Sequence, residues 1–90
     1  MVTHALVTYR GNVQGVGFRY TAQSLARGFR ITGYVKNITN GDVELVAEGE
    51  RSEVEGFLGA VAARMGDLVK SSETAWLEPT GEFSGFTIRF

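Results

Sequence analysis

The sequence has 90 residues, 43% of them apolar, and its 9 basic and 10 acidic side chains give a formal charge of −1. A chain of this size holds one small hydrophobic core, which excludes a second domain and a large cofactor cavity, so we expect a single domain over residues 1–90. The absence of cysteine excludes disulfides and thiolate chemistry, and the lone histidine, His4, cannot form a multi-histidine metal site. We therefore expect no metal site.

Charge and hydropathy also limit the partners. No apolar stretch approaches the roughly 20 residues that a membrane helix needs, and the N-terminus lacks the basic and apolar regions of a signal peptide. We therefore expect a cytoplasmic protein with no membrane partner. The chain lacks the basic excess that drives non-specific nucleic-acid binding, so no nucleic-acid partner is expected either.

The first third of the chain predicts a strand, a glycine-rich loop and a helix. Residues 4–10 alternate with period two, which predicts a strand. Glycines punctuate residues 11–17, and apolar side chains then recur at helical spacing from Phe18 to Phe29. Gly28 is expected near the C-terminal cap of this helix, with a hydrophobic contact just beyond it.

The middle of the chain predicts a hairpin followed by a second helix. Residues 31–37 and 42–48 have strand patterns, and Asn40-Gly41 between them is a strong hairpin turn signal. Ser52 with Glu55 three residues later forms the pattern of a capping box, which predicts the start of an amphipathic helix. The two strands are expected to pair antiparallel.

The remaining residues complete an α+β fold. A fourth strand is predicted near residues 69–77, and a short final strand at 86–90. The order is βαββαβ plus a short extra C-terminal strand, which is the ferredoxin-like sandwich with two helices on one face of an antiparallel sheet. Right-handed crossover sends the first two strands in the same direction with the third between them. The glycine-rich loop and Asn37 are therefore expected at the same edge of the sheet.

The segment from Gly11 to Arg19 has the features of an anion-binding loop. Consecutive backbone N–H groups can point at one anion there, and the adjoining helix N-terminus adds about half a positive charge. Arg19 adds a charged fork suited to two phosphate oxygens. The segment matches neither the nucleotide P-loop nor the dinucleotide fingerprint. On these residues alone, a tight turn with a solvated arginine stays open as the alternative.

Two motifs resemble those of the acylphosphatase family. Residues 11–19 follow the pattern Gly-x-Val-Gln-Gly-Val-x-Phe-Arg, and residues 33–37 read Gly-Tyr-Val-Lys-Asn, with glycine and valine at the expected positions beyond. The resemblance implies hydrolysis of acyl phosphates to a carboxylate and inorganic phosphate, without metal or organic cofactor. It further implies that Arg19 binds the phosphoryl group and that Asn37 positions the attacking water.

The remaining expectations concern the site and its ligands. The phosphate-binding residues are expected along one stretch of the loop: Gln14, Gly15, Val16, Gly17, Phe18 and Arg19. Inorganic phosphate and sulfate should compete with the small-molecule substrate, and the protein is expected to be a monomer. Tyr9 and Asn12 depart from the family's usual aliphatic and basic residues.

Two other functions are compatible with a βαββαβ domain. A non-catalytic phosphate or acyl-phosphate binding module is one alternative. An RNA-binding βαββαβ module is disfavoured because the third strand has no aromatic side chain on which a base could stack.

Residues outside the motifs are interpreted as structural or solvated. His4 is expected on the solvated surface. The other large aromatic side chains are expected in the core or at its edge: Trp76, Phe83, Phe86 and Phe90. Four acids are attributed to a turn and a helix start rather than to a metal site: Glu48, Glu50, Glu53 and Glu55.

Overall fold

The computed structural model describes residues 1–90 and contains five strands and two α-helices. In chain order the elements are β1 (Val2–Gly11), α1 (Phe18–Ala26), β2 (Ile31–Asn37), β3 (Val43–Glu50), α2 (Arg51–Met65), β4 (Val69–Leu77) and β5 (Phe86–Arg89). A single 3-10 turn, Gly66–Leu68, joins α2 to β4. Neither helix is long and apolar enough to cross a membrane. The predicted order of elements is confirmed.

The sheet has the strand order β4-β1-β3-β2-β5. Strands β1 and β2 both pair antiparallel with β3, so they run in the same direction, as predicted. The short strand β5 pairs parallel with β2, so the sheet is mixed rather than wholly antiparallel. The C-terminal ends of β1 and β2 therefore lie at the same edge of the sheet, where the antiparallel strand β3 begins.

The core lies between the helices and one face of the sheet. Ala5, Val7 and Tyr9 of β1 are buried on this face, in agreement with the predicted alternation. Both helices pack against it, α1 over β2 and β5 and α2 over β1 and β3. Burying one side chain such as Phe57 stabilises the fold by roughly 1.5–3 kcal/mol.

The predicted start of α2 differs from the structure, whereas the predicted end of α1 is confirmed. The capping box is wrong: α2 begins at Arg51, its N-terminal cap has no side-chain hydrogen bond, and Arg51 N–H donates to the Met1 carbonyl. Glu55 instead accepts a hydrogen bond from the Arg51 side chain at 3.3 Å. Gly28 directly follows Arg27, the C-terminal cap of α1, and Phe29 packs against the core beyond it. Gly28 does not adopt the left-handed conformation, because the last turn is tightened and its N–H groups donate three residues back.

The expectation that His4 is solvated is wrong. His4 is only 8% exposed and lies opposite Glu48 in the β1–β3 register, with its Nδ1 atom 2.6 Å from Glu48 Oε2. The segment from residue 78 to 85 must cross the open face of the sheet, because it joins strands at opposite edges. Thr80 and Gly81 of this segment donate their backbone N–H groups to the Glu48 carboxylate, at 2.6 and 3.0 Å.

The aromatic side chains outside the motifs are only partly in the core. Phe86 packs edge-on against Phe57, and Phe83 packs on Tyr34 over the opposite face of the sheet. Trp76 is 36% exposed because β4 is an edge strand, and Phe90 is 92% exposed because it follows the last strand. The core prediction is therefore wrong for these last two.

Candidate active site

A cavity of about 180 Å³ lies where the loop after β1 meets the end of β2. Seven residues line it: Val13, Gly15, Gly17, Phe18, Arg19, Tyr20 and Asn37. The parallel directions of β1 and β2 bring these two segments together, since each strand ends at this edge. The structure thus places Arg19 and Asn37 around one small space.

The loop between β1 and α1 presents unpaired backbone donors. Gly15 and Gly17 have φ values of 76° and 80°, in the left-handed region that favours glycine. The N–H groups of Gly15, Val16 and Gly17 donate to no acceptor within the protein. Gly17 caps α1 without a side-chain hydrogen bond, and the first turn contains no acid. The helix N-terminus therefore keeps its donors and partial positive charge for an anion.

Arg19 lies in the first turn of α1 and is half-buried. It forms no salt bridge, unlike Arg10, whose guanidinium binds Glu73 and Asp42. Its guanidinium carbon lies 4.7 Å from the centre of the Phe90 ring. The positive charge of Arg19 is therefore not neutralised by any carboxylate of the protein.

Asn37 is the last residue of β2 and is half-buried at the cavity. Its side-chain amide forms no hydrogen bond with another side chain or with the backbone, in contrast to Asn40 in the following turn, which accepts from Asp42 N–H. Both its donor and its acceptor can therefore serve a bound molecule.

Gln14 connects the loop to the β2–β3 hairpin. Its side-chain amide donates to the carbonyl oxygens of Ile38 and Asp42, both at 2.8 Å. These carbonyls belong to the turn that begins directly after Asn37. The side chain of Gln14 thus fixes the distance between the two parts of the cavity and does not itself line it.

Four of the six residues predicted to bind phosphate line the cavity and two do not. Gly15, Gly17, Phe18 and Arg19 line the cavity, whereas Gln14 and Val16 do not. The backbone N–H of Val16 is nevertheless unpaired between two cavity-lining glycines.

Sequence reasoning missed Val13 and Tyr20, which also line the cavity. Val13 is buried and supports the loop from below. Tyr20 is 62% exposed, next to Arg19 and away from the buried side chains of α1. The sequence does contain a signal for Tyr20: it is an aromatic residue in the first helical turn that falls outside the apolar stripe of the helix.

Tyr9 supports the loop through Phe18. The two rings are 4.9 Å apart between centres and both side chains are buried. Burial raises the pKa of the Tyr9 phenol above its usual value, so this group stays protonated and neutral. The departure from an aliphatic residue at this position therefore adds an aromatic contact beneath the first turn of α1.

The donor set of the cavity fits a small anion. No group of three or more His, Asp or Glu side chains in the protein is arranged so that it could hold a metal ion. The cavity is also smaller than the 300–1,000 Å³ typical of sites for cofactors and drug-sized ligands. Backbone N–H groups, a guanidinium and an amide can together hold a tetrahedral anion and a water molecule.

Comparisons with known proteins agree with this architecture. The family model described as "Acylphosphatase" matches residues 5–88. A curated acylphosphatase of Roseiflexus sp. is 40% identical over 97% of this chain and 95% of its own, and one of Methanospirillum hungatei is 43% identical over 88% of each. The crystal structure of acylphosphatase from Bacillus subtilis superposes over 100% of both chains with a TM-score of 0.86 and 31% identity. The chain therefore belongs to the acylphosphatase family of enzymes.

Proposed function

We propose that this chain hydrolyses acyl phosphates to a carboxylate and inorganic phosphate by direct attack of water. The observation that carries the proposal is the convergence of unpaired loop N–H groups, an unneutralised Arg19 and an unengaged Asn37 amide on one small cavity. Family membership supports the same reaction.

The loop and Arg19 bind the phosphoryl group in this proposal. The N–H groups of residues 15–17 and the N-terminus of α1 contact its oxygens, and the Arg19 guanidinium donates to two of them at once. Phosphoryl transfer depends mainly on positioning and charge stabilisation, so these donors supply the main requirement of the reaction.

Asn37 orients the attacking water in line with the bond that breaks. The water oxygen bonds to phosphorus while the bond from phosphorus to the acyl oxygen breaks, and its electron pair leaves with the carboxylate. Asn37 is too weak a base to accept the proton, so the proton passes to a phosphate oxygen or to the departing carboxylate. The carboxylate is a good leaving group, so the reaction needs no strong general acid.

The expectations about partners belong to the same proposal. The substrate is a small acyl phosphate, inorganic phosphate and sulfate compete for the loop, and no metal or organic cofactor takes part. The protein acts as a single-domain monomer in the cytoplasm. Size-exclusion chromatography with light scattering measures the mass directly.

A spectrophotometric assay with benzoyl phosphate, with and without EDTA, tests the proposal. Arg19→Lys keeps a positive charge but loses the planar fork, so we expect a higher inhibition constant for phosphate and a fall of about 100- to 1,000-fold in kcat. Asn37→Ala should lower kcat at least as much and leave the inhibition constant for phosphate within about 3-fold, because only the transition state uses that contact.

Matched controls use the same substitutions elsewhere. Arg27→Lys lies at the exposed end of α1, and Asn12→Ala lies on the exposed part of the loop, so both should retain activity close to that of the parent. Phosphate binding at the loop without turnover of any acyl phosphate would instead favour the non-catalytic binding module. Activity abolished by EDTA and restored by a divalent ion would refute the metal-free reaction.

A further inference from the structure

The exposed large apolar side chains are not distributed evenly over the surface. Three belong to or contact the segments that form the cavity: Tyr20 lines it, Val16 lies between two glycines that line it, and Phe90 packs its ring over the Arg19 guanidinium. The others lie at the opposite end of the sheet, around the N-terminal end of β1 and its partner in β4: Met1, Val2, Trp76 and Leu77. Apolar side chains are thus exposed beside a cavity suited to a charged group.

One aromatic ring lies over the guanidinium that is placed to hold the phosphoryl group, and a second lines the cavity next to that arginine. Tyr20 lines the cavity beside Arg19 and Asn37 and is 62% exposed. Phe90 is almost fully exposed, and its ring centre lies 4.7 Å from the Arg19 guanidinium carbon. The Tyr20 side chain forms no hydrogen bond with the protein and packs on no other ring, so the fold does not require it to be aromatic.

We propose that Tyr20 and Phe90 form an acyl-binding surface, and that the chain prefers acyl phosphates whose acyl group is apolar, above all aromatic. This inference rests on the proposed function. A phosphoryl group seated on the loop directs the acyl group toward the mouth, because a cavity of about 180 Å³ has no room for a large second group. The acyl group therefore meets these two rings.

The electrostatics of the mouth agree with an apolar acyl group. No acidic side chain lines the cavity, and its single cation, Arg19, is taken by the phosphoryl group. A charged or strongly polar acyl group would find no partner at the mouth and would lose water against two aromatic rings. An aromatic acyl group gains both apolar burial and ring contacts.

The test compares kcat/KM for benzoyl phosphate and acetyl phosphate in the unaltered protein and its variants. Tyr20→Ala should lower the benzoyl-to-acetyl ratio by about 2- to 12-fold, the range for the loss of one aromatic pair. Tyr20→Phe should keep the ratio, since the ring remains. The matched control, Trp76→Ala, removes an exposed aromatic side chain far from the cavity and should also keep it. A ratio in Tyr20→Ala equal to that of the parent would overturn the proposal.

A binding measurement separates this proposal from the hydrolysis proposal. Benzylphosphonate and methylphosphonate carry a phosphoryl-like anion that cannot be hydrolysed, and their dissociation constants follow from backbone amide shifts. Benzylphosphonate should bind more tightly and shift Tyr20 and Phe90, and Tyr20→Ala should reduce this advantage. Preference for benzylphosphonate without turnover of either acyl phosphate supports the surface and refutes hydrolysis. Equal affinity for the two phosphonates refutes the surface even if both acyl phosphates are hydrolysed.

Discussion

Replacing Glu48 by glutamine removes the charged group that anchors the segment between β4 and β5. Burial by itself would raise the pKa of the Glu48 carboxyl, but hydrogen bonds from the Thr80 and Gly81 backbone, the His4 ring and the Thr80 hydroxyl lower it to about 2. An ionised carboxylate only accepts hydrogen bonds, so His4 Nδ1 carries the proton of the contact between them. The anchor therefore works only while Glu48 is charged.

The lowered pKa sets the size and the pH range of the effect. The difference between the ordinary value of 4.5 and about 2 corresponds to about 3 kcal/mol, at about 1.4 kcal/mol per unit. Because the folded-state pKa is the lower one, this stabilisation is fully present above pH 4.5 and is lost as the pH falls from 4.5 toward 2. At pH 7 the contribution is a large part of the 5–15 kcal/mol expected for a small domain.

Guanidinium chloride unfolding of the parent and of Glu48→Gln between pH 2 and 8 measures this contribution. We expect the variant to be less stable by about 3 kcal/mol at pH 7, and the two proteins to converge at the acidic end. Glu73→Gln is the matched control: it removes a carboxylate whose pKa is lowered by its hydrogen bond and charge interaction with Arg10, but whose side chain is 73% exposed. Its effect should be much smaller. A difference between parent and Glu48→Gln that stays constant over this pH range would refute the reasoning.

Two further predictions concern the loop that holds the cavity. Gln14→Leu removes two hydrogen bonds to the β2–β3 turn, so the free energy of unfolding should fall by about 1–3 kcal/mol. The kcat should also fall, because the loop is no longer held to that turn. An unchanged kcat in a folded variant would contradict the bridging role of Gln14. Gly17→Ala places a Cβ in open space but at a φ of 80°, so it should destabilise the fold by about 1–2 kcal/mol. Gly59→Ala also places a Cβ in open space, but inside α2, so it should stabilise the fold by about 0.4–1 kcal/mol. If chemical denaturation gave both substitutions the same sign, the backbone argument would be contradicted.

The sequence predicts the elements well because their signals are local. Alternation identifies β1, and the Asn40-Gly41 pair identifies the β2–β3 turn, where Gly41 has a φ of 94°. The topology then follows from handedness, and it brings Arg19 and Asn37 to one edge before any coordinate is known. The fold and the position of the candidate site are therefore accessible from the sequence.

The errors arise where distant parts of the chain compete with a local rule. The capping box fails because α2 begins at Arg51, so Ser52 lies inside the helix instead of capping it. The Arg51 N–H donates to the Met1 carbonyl, which only the folded sheet brings near. His4 is a polar residue near the start of the first strand, where the sequence predicts exposure to solvent. A segment more than 70 residues later in the chain covers it instead. The structural role of the Gln14 side chain was missed for the same reason: the two carbonyl groups that it binds come together only in the folded β2–β3 turn.

β1 is an interior strand of the sheet, and this position determines when the sheet can be completed. Ala5 pairs with Ala47 on one side and with Trp76 on the other, so neither neighbour of the first strand exists when that strand is made. At about 5–20 residues per second, synthesis of the 71 residues from Ala5 to Trp76 takes about 4–14 s. During that interval β1 has an unpaired edge, and the cavity at its end is not yet complete. The sheet is therefore complete only after nearly the whole chain has been made, and catalytic activity is a direct reporter of complete folding.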